Sequence, residues 1–387
     1  MSGAASAAIE LNEHTGLVTA LKVTQSHNDN INDTPAEQER SSWITTVAPG
    51  IELVGRDRLN RYSLSYNLEH AFYHTSATED KTNHTLAANS HMEFDARNRL
   101  DLNAGYKKRE SIVNDTNRRA GQEGDKFHTY SLGGKYGFGA KSATMQLELG
   151  VNQDWTKYDN NREALSGPNK GAVNREKDHE KTGVTGTAYY RVAPKTRALF
   201  ELGFDDFRYD NEQRNGQRLD SHNMRYLAGV TWDATAKTTG TVKLGYQEKD
   251  FDDARKQDTS SMLWDAAVTW EPVAYSRIKF GTGSSYGEGG STEDVVDTTN
   301  YRINWLHDWT PRINSDVGYR LTNKEYQGGS NAGREDDLSV YNLGVNYKMR
   351  RWLELGVGYR YRDNDSTTDD SSYEVNEVFA SVNLVLN

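Results

Sequence analysis

Cysteine is absent from the 387 residues, so neither a disulfide nor a thiolate metal site contributes to the fold or its chemistry. No stretch approaches the 18 or so consecutive apolar residues of a membrane-crossing helix, which excludes a helical membrane protein. Proline is scarce, at 6, and only 35% of residues are hydrophobic. A soluble chain of this length would be more apolar and would divide into domains around separate cores. No basic block is present and the formal net charge is −10, so a nucleic-acid partner is not expected. A β-barrel in a membrane remains open, because only every second residue of it meets lipid and the average composition stays polar.

What the chain does have is alternation. In LELGVGYRYR (353–362), Leu353, Leu355, Val357, Tyr359 and Tyr361 fall on one face of a strand, and Glu354, Gly356, Gly358, Arg360 and Arg362 on the other. The next ten residues, DNDSTTDDSS, contain nothing apolar. Segments built alike recur as LDLNAGYKKR (100–109), MQLELGVNQDW (145–155), ALFELGFDDFR (198–208), TVKLGYQEK (241–249), RIKFGTGSSY (277–286) and NSDVGYRLT (314–322). Gly105, Gly150, Gly203, Gly245, Gly281, Gly318 and Gly356 mark them at intervals of about 35 to 55 residues, the length of a hairpin with a long loop. YSLGGKYGF (130–138), NYRINWLHDW (300–309) and VYNLGVNYK (340–348) read as return strands.

The connections alternate too. Short ones at 94–99, 192–197, 270–277, 308–312 and 348–352 are separated by long polar ones such as 111–125, 159–180, 209–219, 326–337 and 363–372. The pattern predicts an all-β fold: a single closed antiparallel transmembrane barrel of 18 strands over 16–387, after an N-terminal periplasmic tail at 1–15, with short periplasmic turns and long extracellular loops. Trp232, Trp270, Trp309 and Trp352 stand beside short turns, where an interfacial aromatic belt belongs. The N-terminus lacks the apolar core of a signal peptide, and Ala5-Ser6-Ala7 before Ala8 reads as a cleavage site, so a mature exported form is expected.

With strands placed, LKVTQSHNDNI (21–31) ending in Asp29-Asn30-Ile31, then SSWITTVAPGIEL (41–53) with Pro49-Gly50, then NRYSLSYNLEHAFY (60–73), resembles the opening of an outer-membrane β-barrel porin family associated with exopolysaccharide and capsule biosynthesis and export. The hairpin pattern extends the resemblance over nearly the whole chain. His27 stands where the family often has an aromatic, Asn32 follows Ile31, and Asn387 replaces the terminal aromatic usual in outer-membrane barrels. The resemblance implies a bacterial outer-membrane channel that exports an exopolysaccharide, with lipid and polysaccharide as partners and a periplasmic polysaccharide co-polymerase beside it. A general or solute-specific uptake porin, or an outer-membrane adhesin, is the alternative.

A barrel this wide has an aqueous lumen, and the inward register is then the functional surface. It is expected to carry Arg99, Lys107, Arg109, Lys243, Lys279, Arg302, Arg312, Arg320, Arg360 and Arg362, with Asp101, Glu148, Glu201, Asp265, Asp316 and Glu354. Asn103, Asn152, Asn304, Asn314, Asn342 and Asn346 join them. Such a wall either guides a hydrated sugar polymer or satisfies itself through opposed ion pairs. Arg320, Arg360 and Arg362 suggest a basic ring near the outer end. The lumen glycines either keep the wall low or relieve strand bending. The loop 160–181 is long enough to fold inward as a constriction. Gly283-Ser284-Ser285-Tyr286-Gly287 matches G-x-S-x-G only within the alternating segment that starts at 277, so no serine sits in such a turn, and histidines are scattered; no enzyme and no cofactor is expected. Asp363, Asp365, Asp369 and Asp370 lack the glycine of a calcium loop and read as a solvated acidic loop, leaving no metal site.

Overall fold

The computed structural model describes residues 9–111, 124–163, 173–213, 215–235, 237–289 and 292–386. Its strands in chain order are β1 (Ile9–Asn12), β2 (Thr15–Asn28), β3 (Ser42–Asp57), β4 (Asn60–Tyr73), β5 (Lys81–Glu93), β6 (Asn98–Glu110), β7 (Lys126–Phe138), β8 (Met145–Tyr158), β9 (His179–Ala193) and β10 (Thr196–Tyr209). They continue as β11 (Ser221–Thr235), β12 (Thr238–Phe251), β13 (Thr259–Val273), β14 (Ser276–Glu288), β15 (Val295–Asp308), β16 (Ile313–Gln327), β17 (Glu335–Arg350), β18 (Leu353–Ser366) and β19 (Tyr373–Leu386).

Every neighbour pairs antiparallel, and β19 returns to β2 from Glu377↔Asn28 to Leu386↔Thr19, which closes the sheet. The eighteen strands β2 to β19 therefore form the barrel predicted from the alternation. β1, within the expected tail, adds a short hairpin against β2 through Ile9↔Leu17 and Glu10↔Gly16. Closure removes the unpaired edges that an open sheet of this size would carry. Spacing strands about 4.8 Å apart at a tilt of about 40° gives a backbone cylinder about 35 Å across, too wide for side chains to fill.

Short and long connections alternate as expected. β9 and β10 are joined through Pro194 and Lys195, β13 and β14 through Ala274 and Tyr275, and β17 and β18 through Arg351 and Trp352. Residues 29–41 and 210–220 are among the long connections at the opposite end. Both described chain ends, Ile9 and Leu386, lie at the short-turn end. Trp270, Trp309 and Trp352 are 40%, 59% and 47% exposed at that end, placed as a belt requires. Trp232 is half-buried there, its indole N–H donating to Thr238.

Candidate functional site

Register decides which chemistry each face presents. Across β17, β18 and β19, Leu343, Tyr359 and Val378 stand side by side, as do Val345, Val357 and Ala380, and Tyr347, Leu355 and Val382. This outward row continues onto β2 with Val23 and Leu21. The alternate rows are Asn342, Arg360 and Glu377, then Asn346, Gly356 and Ser381, with Asn28 and Thr24 next on β2. Large apolar side chains stay exposed all round the outward face, from Leu64 and Leu132 through Phe200, Leu244 and Ile303 to Leu343. Water would not tolerate so continuous an apolar surface on a monomer, whereas lipid requires it.

The inward register holds the candidates in a wall of mutual contacts. Arg99 donates to the Gly139 carbonyl and to Glu148, both at 3.0 Å, bridging β6 to β8 as side chains on a concave face do. Asp101 bonds His91 at 2.5 Å and pairs with Lys135 at 3.7 Å. Lys243 pairs with Glu201 at 3.4 Å and Asp265 at 3.1 Å. Asp316 accepts from Asn304. Arg109 donates to Thr85 Oγ1 at 3.0 Å. Arg360 reaches Glu377 at 3.1 Å and Asn342 at 2.9 Å. Glu354 stands across from Lys348 and Asn383, Lys107 between Thr85 and Thr129, and Asn103 between Asn89 and Gly133. Asn152, Asn314 and Asn346 share the inward face, the last donating to Asn314 at 3.1 Å.

Two expectations need correction. Arg312 is not on the wall: β16 begins at Ile313, and the turn that precedes it leaves Arg312 exposed at the short-turn end. The basic ring does not form either, because Arg360 is paired and Arg362 is held by both Asp33 carboxylate oxygens at 2.6 and 2.9 Å. Arg320 alone of the three lacks such a partner among the described residues.

Three strand glycines show a reading outside the two expected. A Cβ at Gly203 would meet the Arg225 guanidinium at 2.8 Å, one at Gly281 would meet Arg302 and one at Gly137 would meet Arg99 at 2.6 Å. These glycines let an arginine from the neighbouring strand lie flat along the wall. At Gly245 the close neighbour is the Tyr226 carbonyl itself, so there the backbones of β11 and β12 approach too closely for any side chain.

The long-loop mouth is narrowed from two sides. Residues 29–41 fold over the inward face of β18, where Asp33 meets Arg362; Asp29, at the barrel rim, receives the backbone and side-chain N–H groups of the outward-register Asn376 at 2.7 and 2.8 Å. Asn30, fully buried, donates to the Thr34 and Glu374 carbonyls at 2.7 and 3.0 Å. Ile31 is buried beside them. The motif that carries the family resemblance is therefore a folded plug of polar contacts.

The second narrowing lies in the wall. The β13–β14 ladder stops at Asp265↔Gly283, although β13 begins at Thr259 and β14 runs to Glu288. Beyond the stop, β14, β15 and β16 stay paired without a register shift, so Tyr286, Asp297, Glu288, Val295 and Gln327 keep the outward register. Yet these residues pack on inward-register residues of β10 to β13. Glu288 accepts from Tyr209 at 2.8 Å and from Lys249 at 2.9 Å. Gln327 accepts from Thr259 at 2.9 Å, and Val295 is buried with Phe207, Tyr209, Leu219 and Phe251. An outward face can meet an inward face only if the outer ends of β14 to β16 are folded inside the arc of β10 to β13. Lys249, with no exposed surface, lies over the Phe207 ring at 4.5 Å and fixes this fold. In the adjoining connection, the Arg255 guanidinium holds the Asp253 carboxyl well below the usual carboxylate range.

The expected inward loop at 160–181 falls partly on 164–172, outside the described residues. At its base Lys177 pairs with Asp125 at 3.2 Å and lies over the inward-register Tyr158 ring at 5.4 Å. Among the described residues no group of three metal-ligating side chains converges. Lys249 and Glu377 were legible in the alternation but unremarkable there; Asp33 and Glu288 reach the lumen only through the folded loop and the folded wall, and no local pattern announces that.

A family model described as Putative beta-barrel porin 2 matches residues 17–386. No curated protein matches the chain. Among solved structures, the FrpB iron transporter of Neisseria meningitidis is similar in two variants, F3-3 at TM-score 0.54 and 10% identity over 97% of this chain and 82% of that one, and F5-1 at 0.54 and 11% over 97% and 83%. The siderophore receptor PirA of Acinetobacter baumannii is similar at TM-score 0.51 and 10% identity, over 97% and 81%. At such identities the likeness is one of fold.

Proposed function

From the premise that this chain belongs to the Putative beta-barrel porin 2 family of outer-membrane β-barrel porins, we propose that its channel exports an exopolysaccharide of the capsule or biofilm matrix. The short-turn end, with both described termini, faces the periplasm and a polysaccharide co-polymerase; the long connections face outward. The observation that carries the reading is the state of the inward wall. Its Asn, Ser, Thr and Gly positions offer many weak hydrogen bonds, and most of its charges already hold a partner, as Arg99 holds Glu148 and Lys243 holds Glu201. A hydrated polymer exchanges water for such groups at little net gain per contact, so it enters readily and leaves again. The resemblance of 21–73 to a polysaccharide-export family supports the same cargo.

Deleting the gene tests this. Loss of surface polysaccharide with normal growth on small solutes is expected. Intact polysaccharide with slowed uptake of one small solute gives the case to an uptake porin, and intact polysaccharide with lost attachment gives it to an adhesin.

A further inference from the structure

We propose that Lys279, Arg302 and Arg320 form a subsite for an anionic saccharide, one bearing a carboxylate, midway up the channel wall. The inference rests on the conduit reading and names the class of sugar. Arg302 and Arg320 stand directly across from each other on β15 and β16, and Lys279 faces Asn304, two residues along the inward face. Like charges placed directly opposite in a sheet are destabilising, so the pair costs stability unless something anionic joins it. No carboxylate within 4.0 Å pairs with any of the three, and none of the three donates a hydrogen bond, among the described residues. Arg99, Arg225, Arg360 and Arg362 contrast with them, since each is met by a carboxylate.

The surroundings leave room for a ligand. Gly281, Gly283 and Gly318 keep the wall low beside the cations, and the Arg302 guanidinium lies over Gly281 with both side chains of the pair exposed to the lumen. Asn300 and Asn304 flank them on β15; Asn300 accepts from Thr322 and Asn304 donates to Asp316, which leaves the Asn300 amide N–H groups and the Asn304 carbonyl oxygen for hydroxyls. A guanidinium offers a planar fork that matches a carboxylate, and two of them side by side, with the nearby Asp316 turned to Asn304 and not to them, hold an anion in a fixed place. The inward fold of β14 to β16 begins immediately beyond, so a chain entering from the short-turn end meets the cations before the narrowing.

The test is conductance block of the full-length protein in planar bilayers, with trigalacturonate as the anionic probe, maltotriose as the neutral one and inorganic phosphate as the small ion. Native protein should be blocked by trigalacturonate more tightly than by either other probe. R302Q/R320Q should weaken that block about tenfold or more, R302K/R320K should fall between, and R56Q/R61Q, which removes the same charge from the facing pair at the short-turn end, should change it less than twofold. Heat-modifiable mobility on gels reports whether each variant has folded, and the lysine variant carries the test if the glutamine variant does not. Equal weakening by R56Q/R61Q would overturn the subsite, since a diffuse field would then explain the block. Phosphate as tight as trigalacturonate would overturn the saccharide. Maltotriose as tight as trigalacturonate sinks this inference alone, while entry by neither saccharide sinks the conduit reading as well.

Discussion

The two seams of this barrel invert what chain proximity would suggest. β19 and β2 lie at opposite ends of the sequence and still pair from Glu377↔Asn28 to Leu386↔Thr19. β13 and β14 are joined by a tight turn, and their ladder stops at Asp265↔Gly283. Side chains explain the difference. The closing seam sets Val378, Ala380, Val382 and Leu384 beside His27, Gln25, Val23 and Leu21 on the outward face, a β-branched and aliphatic surface interrupted on β2 by His27 and Gln25. The outer half of β14 reads Gly283-Ser284-Ser285-Tyr286-Gly287, with little to pack on either face. Ser284 Oγ takes over from the backbone there, accepting from Trp264 N at 3.3 Å and donating to the Met262 carbonyl at 3.2 Å. A seam persists where its outward face is filled, and a half-empty one frees the wall to fold inward.

The largest effect is expected at the closing seam. Val382→Arg puts a charge on the outward face near mid-strand and should cost about 2–4 kcal/mol in urea titrations of the protein in lipid vesicles. Val382→Arg unfolding at the same urea concentration as Val382→Ala would mean that this face does not meet lipid. At the other seam, Lys249→Met removes one partner of a pair with no exposed surface on the lysine side and should destabilise the inward fold by about 3 kcal/mol. Its single-channel conductance should rise, whereas Lys107→Met, at a position with no ion pair among the described residues, should not change it. A smaller and opposite change is expected at Gly287, where an added Cβ finds ordinary contact with Val296 at 3.4 and 3.7 Å. Gly287→Ala should stabilise the folded wall by about 0.5–1 kcal/mol and slow amide exchange across Tyr286–Glu288 severalfold. Faster exchange would show that the glycine is needed there.

Much of the architecture was legible because period-two alternation depends only on neighbours along the chain. It placed Leu355 and Val357 outward and Gly356 and Arg360 inward, and it set the alternation of short and long connections. The charges were legible as a face but not as a network. Arg360 and Arg362 looked alike in the sequence, yet Arg362 is met by Asp33 from a connection folded across the wall. Arg312 shows the opposite failure: its parity was right, but the strand begins one residue later. The inward fold at β13 and β14 was illegible because it depends on which face of β14 to β16 meets β10 to β13, a choice made only after the barrel closes. The glycine-rich run from Gly281 was its one local trace.

The central claim is that the inward register lines a water-filled path, and the absence of cysteine makes it directly measurable. Ser381 and Val382 are adjacent on β19 and point to opposite faces. Single cysteines at each, treated with a charged thiosulfonate reagent during planar-bilayer recording, should separate cleanly: conductance falls for Ser381→Cys and stays constant for Val382→Cys. A fall at Val382→Cys with no change at Ser381→Cys would contradict the account, and so would no change at either.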